Sequence, residues 1–163
     1  DELKNINLVK KERLVSIIVS DKSFTKGHKE RMKFLKKLKS EFGEQIDIYG
    51  VGHKIVIDKW DAIAPYKYNI VLENSSFNDY WTEKLADAFL GQSYPIYYGC
   101  KNIYKYFPKE SLSYIDIKES ENAIKIIRDI INSDLYEKSL GYIKKSKDLI
   151  KSRFDKFNIK VIE

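Results

Sequence analysis

The stretch LENSSFNDYWTEKL, Leu72 to Leu85, sets Asn74, Asp79, Tyr80, Trp81, Thr82 and the adjacent pair Glu83-Lys84 behind an apolar run. Thr82 can accept a hydrogen bond from the first N–H groups of a helix. Such a helix start carries a partial positive pole that suits a phosphate. Glu83 suits that pole, whereas Lys84 in the first turn does not. A lysine placed for helix stability alone would sit better at the far end, so its position points to an anionic ligand. Glu83 could then accept hydrogen bonds from ribose hydroxyls, as acidic residues beside nucleotide sites do. The bland alternative makes Glu83 a first-turn charge and Lys84 a solvated ammonium, because each such placement is worth only about 0.3–1 kcal/mol.

These residues need a scaffold that brings a strand end against a helix start. LVSIIVS, Leu14 to Ser20, is a nearly continuous β-branched run of the kind buried on both faces of a parallel sheet, and the polar loop DKSFTKGH follows it. From Lys29 to Phe42 the apolar residues Met32, Phe34, Leu35, Leu38 and Phe42 recur at helical spacing, with Gly43 as the stop. IDIYG is a short second strand, IVIDKWDAIA is either a strand end or a helical turn, and YKYNIVLEN runs as a third strand into Asn74. TEKLADAFLG reads as a helix capped by Thr82, buried along Leu85, Ala88 and Phe89 and stopped at Gly91. YPIYYG gives a fourth strand with Pro95 at its start, NIYKYFPKE a helical turn, and LSYIDI a fifth strand. Ser120 reads as the cap of ENAIKIIRDIINS, the remainder to Phe157 as one or two basic amphipathic helices, and NIKVIE as a final strand or a tail. Strands alternating with helices predict an α/β fold: a Rossmann-like parallel sheet with helices on both faces, in one domain spanning residues 1–163.

Composition narrows the partners. The excess of 30 Lys and Arg over 24 Asp and Glu gives a formal charge of +6, which favours phosphate-bearing partners. Many of these lysines alternate with apolar residues in KFLKKLKSEFG and YIKKSKDLIKSRFDKF and are read as solvated helix faces. A single cysteine, Cys100, excludes an intrachain disulfide and a cysteine-cluster zinc site. No apolar run of membrane-spanning length occurs, and the acidic start DELKN lacks the order of a signal peptide. Asn74-Ser75-Ser76 is formally a glycosylation sequon, read here as chance.

The run from Tyr66 to Gly99, YKYNIVLENSSFNDYWTEKLADAFLGQSYPIYYG, resembles the donor-binding motif of glycosyltransferase family 10, the α-1,3/α-1,4-fucosyltransferases. That signature has an aromatic-rich strand, Glu-Asn-Ser, a short loop, Tyr-x-Thr-Glu-Lys, an Ala-bearing helix and Pro-x-Tyr-x-Gly. The match has no gap from Tyr68 to Lys84, and weaker likeness extends over Ser20 to Ile131. Leu72 replaces a usual Phe, Trp81 a small aliphatic residue, and Ala86 a larger residue found in some members; these departures concern packing more than charge.

The resemblance implies the C-terminal half of a GT-B glycosyltransferase that holds GDP-fucose for inverting fucosyl transfer to a glycan hydroxyl. Carried over residue by residue, Lys84 and Arg31 would clamp the diphosphate, Glu83 would meet the ribose hydroxyls, and Tyr80 and Asn74 would contact the donor. Glu73 could serve the ligand or a strand-end hydrogen bond. No catalytic base is identified in this chain, because in the family it resembles a carboxylate of the N-terminal domain; His28 and His53 form no catalytic or metal-ligand arrangement. No cofactor and no obligatory metal are expected. The implied partners are the GDP-sugar, a glycan acceptor and an N-terminal acceptor domain lying outside this chain, with peripheral membrane association left open and no nucleic acid. For a bacterial source the expected location is the cytoplasm or the cytoplasmic face of a membrane. The competing readings are a non-catalytic nucleotide-binding module of the same fold and, less favoured, a basic nucleic-acid binder using the aromatic and lysine residues of NIYKYFPK.

Overall fold

The computed structural model describes residues 9–19, 26–50 and 52–156. The first apolar run forms β1 (Arg13–Val19) and the heptad-like stripe after it forms α1 (Lys26–Phe42), which ends where Gly43 takes up φ +53°. Ser20 and most of the loop read as DKSFTKGH lie outside the described residues, as does NIKVIE. Next come β2 (Ile46–Gly50), β3 (Tyr66–Leu72), α2 (Glu83–Leu90), β4 (Tyr94–Tyr98), β5 (Ser113–Tyr114), α3 (Ser120–Ile131) and α4 (Leu135–Lys156). The ambiguous IVIDKWDAIA resolves as a 3-10 turn at Lys59–Ala62, entered through Asp58, whose side chain accepts from the Trp60 N–H. The basic C-terminal segment is one helix rather than two, and NIYKYFPKE holds a short 3-10 turn at Ile103–Lys105, with a second, Lys109–Ser111, beginning after Pro108.

All five strands are parallel, in the order β2-β1-β3-β4-β5. Val15 lies opposite both Ile46 of β2 and Tyr68 of β3, and Ile17 opposite Ile70, so β1 and β3 run side by side and end level at Val19 and Leu72. A right-handed crossover that moves one way along the sheet puts its helix on one face, and a crossover moving the other way puts it on the opposite face. The chain moves outward from β1 to β2 through α1, then returns past β1 to β3 and continues through α2 to β4. α1 and α2 therefore flank opposite faces; α1 packs with α3, and α2 with α4. Ile17, Ile70, Ile96, Leu38, Phe89 and Ile127 are all at most 1% exposed, so the core lies on both sides of the sheet, as the apolar strand runs require.

Two expectations are corrected. LSYIDI forms only two paired residues, because Asp116 turns the chain: its backbone carbonyl accepts from Glu119 N and its side chain accepts from Lys118 N. Ser120 is the first residue of α3 and not its cap; the cap position falls on Glu119, with no side-chain capping bond.

Candidate functional site

The strand order reverses between β1 and β3, and beyond the carboxyl ends of strands flanking such a reversal lies the crevice where open α/β sheets bind ligands. A recess opens there, lined by Val19 of β1, Leu72 of β3, Met32 and Leu35 of α1, and three nitrogen-bearing side chains: His28, Arg31 and Lys84. Arg31 arrives from the α1 face and Lys84 from α2, so the two predicted cations share one hollow.

Arg31 is 8% exposed, so its guanidinium is not a solvated helix-surface group. Its guanidinium donates to Asn74 Oδ1 at 2.5 Å and, more weakly, to the Gly27 carbonyl at 3.4 Å. Burial opposes its charge, while Tyr80, Tyr98 and Glu73 nearby favour it; an arginine remains a cation under those conditions. The contact with Asn74 depends on close backbone approach. A Cβ at Gly27 would lie 2.6 Å from the Asn74 carbonyl, so glycine lets the first turn of α1 press onto the end of β3. Asn74 itself is exposed, with its side-chain Oδ1 engaged by Arg31.

Thr82 caps α2 as expected, its hydroxyl accepting from the Lys84 N–H at 3.3 Å. Lys84 lies 3.6 Å from Glu83, with side-chain exposures of 24% and 64% respectively: the ammonium turns into the recess and the carboxylate faces outward. Partial burial works against ionisation of Glu83, but Lys84, the helix-end N–H and Lys59 outweigh it and hold the carboxyl below its ordinary range. Tyr80 is half-buried and stacks on Phe77 with ring centroids 4.5 Å apart. Burial, then Glu73 and Glu83, push its phenol pKa up.

The geometry resolves what the motif left open for Glu73. It is fully buried and accepts from both the N–H and the hydroxyl of Thr82, at 2.9 and 2.7 Å, with Tyr97 OH at 3.5 Å. Burial pushes its carboxyl pKa up against the pull of Thr82 and Lys84. Glu73 thus ties the end of β3 to the cap of α2, and thereby fixes where Lys84 begins. Gly99 makes room for it: a Cβ there would lie 2.4 Å from Glu73 Cγ and 2.6 Å from Tyr97 OH.

The loop between is fixed from the other side. Asp79, at φ 61°, exchanges two hydrogen bonds with Asn102, N–H to Oδ1 at 2.8 Å and Nδ2 to Oδ1 at 3.0 Å, and also accepts from Tyr106 OH. Trp81, one of the three departures from the family pattern, packs against Tyr106 and Phe107 with the Arg153 guanidinium over its ring, which is a packing role. His28 and the Asp79–Asn102 pair were not picked out in the sequence as site residues. His28 precedes Arg31 by three positions on one helix, a spacing that places both on the same face, whereas the Asp79–Asn102 pair joins segments with no local signature. Among the described residues no group of three or more His, Cys, Asp or Glu is placed to hold a metal ion, and no helix is long and apolar enough to cross a membrane.

Residues 8–144 match the family model for the glycosyltransferase family 10 (fucosyltransferase) C-terminal region. The chain is 35% identical over 74 residues to the alpha-(1,3)-fucosyltransferase FucT of Helicobacter pylori, a match covering 45% of this chain and 16% of that protein. It is 32% identical over 147 residues to the 4-galactosyl-N-acetylglucosaminide 3-alpha-L-fucosyltransferase 9 of Bos taurus, covering 85% of this chain and 38% of that protein. The solved structure of an alpha1,3-fucosyltransferase with GDP-fucose superposes with a TM-score of 0.67 at 24% identity, over 92% of this chain and 49% of that one. The same enzyme class solved with GDP gives a TM-score of 0.67 at 23% identity, over 94% of this chain and 50% of that one. The chain therefore spans half or less of the length of these relatives.

Proposed function

Since the chain belongs to glycosyltransferase family 10, the fucosyltransferases, we propose that it is the donor-binding part of such an enzyme and grips the diphosphate of GDP-fucose between Arg31 and Lys84. The observation that carries this reading is the convergence of those two cations, from helices on opposite faces, in the crevice at the sheet's reversal.

The chemistry follows from the charges. Cleaving the bond between fucose and the diphosphate leaves negative charge developing on the leaving oxygen, which fixed cations and N–H donors stabilise without reorganising. Arg31, held by Asn74, offers a planar fork, and Lys84 a point charge at the start of α2. These two cations take the part that a metal ion plays in other diphosphate sites. Glu83, exposed and ionised, receives the ribose hydroxyls, and Tyr80 covers the donor. Transfer is inverting, to the hydroxyl of a glycan, and the base that deprotonates this acceptor comes from a second domain of the kind that the longer relatives have room for.

Titration calorimetry with GDP, GDP-fucose and UDP tests the proposal. Selective guanosine binding is expected, weakened by about 1.5–3 kcal/mol in Arg31→Ala and in Lys84→Ala, the range for a charge-assisted contact. Equal affinity for UDP and GDP, or unchanged affinity in both variants, would overturn it.

A further inference from the structure

One side chain of the recess has no part in the donor grip described above. His28 is half-buried in the first turns of α1, lines the same hollow as Arg31 and Lys84, and engages in no hydrogen bond or ion pair among the described residues. Its surroundings decide what it can do. β1 and β3 bring only apolar side chains to the recess, Ile17, Ile18, Val19 and Leu72. Among the described residues, the charged or titratable groups around it are Lys29, Glu30 and Arg31 on its own helix, Lys84 from α2 with Glu83 beyond it, and Glu73, Tyr80 and Tyr98 around Arg31. The α1 residues that meet α3 through charge, Lys37 with Glu121 and Glu41 with Arg128, lie nine and thirteen positions further along the helix.

A neutral imidazole beside two cations neither repels them nor attracts an anion. Protonated, it would add a third positive charge and a second N–H donor, both of which a polyanion seated in the hollow would favour. We propose that His28 is a third anion-binding group of this site, taking a proton from solvent as the diphosphate of a nucleotide sugar seats against Arg31 and Lys84. Donor affinity then rises as pH falls through the range in which imidazoles change charge, about pH 8 to 5. This inference rests on the donor-binding reading and adds to it a proton that binds together with the ligand.

GDP-fucose is the suitable probe, because each of its phosphates is esterified once and joined in the anhydride and so keeps no proton that titrates near neutrality, whereas the terminal phosphate of GDP titrates near pH 6 like other phosphomonoesters. Calorimetry on the full chain from pH 8 to pH 5.5, in paired buffers of different ionisation enthalpy, should show the Kd falling about tenfold with uptake of up to about one proton per ligand. His28→Asn should abolish both effects, while His28→Arg, carrying the charge permanently, should bind as the wild type does at low pH but at every pH. Glu73 is present in both variants, so a pH dependence that survives His28→Asn would belong to that carboxyl and overturn the proposal. Wild-type binding that is independent of pH would overturn it too, leaving the donor reading intact. Absence of GDP-fucose binding at every pH would overturn both.

Discussion

Glu73→Ala should be among the most damaging single changes near the site, although Glu73 itself touches no ligand in the scheme above. Its carboxylate is fully buried, and its removal strands the N–H and hydroxyl of Thr82, which it receives at 2.9 and 2.7 Å, together with the longer approach of Tyr97 OH. A buried donor left without a partner costs about 1–3 kcal/mol. Thr82 is half-buried, so its two groups together fall near the middle of that range, and the void beside Gly99 adds to them. A loss of about 3–4 kcal/mol is expected, a large share of the ~5–15 kcal/mol that holds a domain folded. Glu73→Gln keeps one acceptor oxygen and should cost about 1–2 kcal/mol. The pH dependence gives the sharper test. Because burial raises the folded-state pKa above the ordinary 4.5, the stability this carboxyl contributes is fully present below 4.5 and is lost as pH rises through the raised value. Glutamine does not titrate, so the gap between wild type and Glu73→Gln should narrow from acid to neutral pH. Urea unfolding followed by circular dichroism at several pH values measures this. An alanine variant within about 0.5 kcal/mol of wild type, or a gap that widens with pH, would refute the role assigned to the carboxyl.

Gly99→Ala drives a methyl group into Glu73 and Tyr97 OH at 2.4 and 2.6 Å, so thermal melts should show a loss of about 1–3 kcal/mol; a neutral outcome would mean that the pocket around Glu73 is looser than described. Lys11→Met probes the opposite, amino-terminal end of the central strands, where the ammonium donates to the carbonyls of Ala64 and Gly91 at 2.6 and 2.7 Å and to Ser93 Oγ at 3.2 Å. Burial, with help from Lys147, pulls the Lys11 pKa down to about 7. The folded state then holds fewer protons than the unfolded one between pH 7 and 10.5, so wild-type stability should rise across that window and the Met variant should show no such rise; parallel curves for the two proteins would count against it.

What the sequence made legible follows the range of the physics involved. The β-branched run of β1 and the aromatic-apolar run of β3 are strands buried on both faces, and their pattern says so locally. Thr82 before Glu83 is a cap by residue type alone, and it is one in the structure. The fifth strand misled because Leu112, Ile115 and Ile117 are buried as a strand's apolar residues would be, yet Asp116 offers the backbone a turn that ends pairing after Tyr114. Arg31 stands at the head of an apolar stripe whose pattern is local. Positions 31, 35, 38 and 42 fall on one helical face, and Leu35, Leu38 and Phe42 are buried, so a charged side chain at the head of that stripe points toward the sheet and needs a reason to be there.

No local pattern could show that Arg31 and Lys84 would meet, because the meeting is a property of topology. Had the strands been laid down in simple succession, right-handed crossovers would have put α1 and α2 on the same face, each pointing its first turn above its own pair of strands. The return past β1 from β2 to β3 reverses the winding, places the two helices on opposite faces, and leaves the ends of Val19 and Leu72 with no helix crossing above them. Into that gap α1 brings His28 and Arg31 from one side, and α2 brings Lys84 from the other. Two supports then hold the cations at their separation: the Gly27 contact that presses α1 onto Asn74, and the Glu73–Thr82 bonds that anchor α2 to the same strand. Both supports terminate on consecutive residues, Glu73 and Asn74, at the exit of β3. A change at either position should therefore disturb both arms of the grip together, whereas a change at Lys84 or Arg31 removes one charge and leaves the other in place.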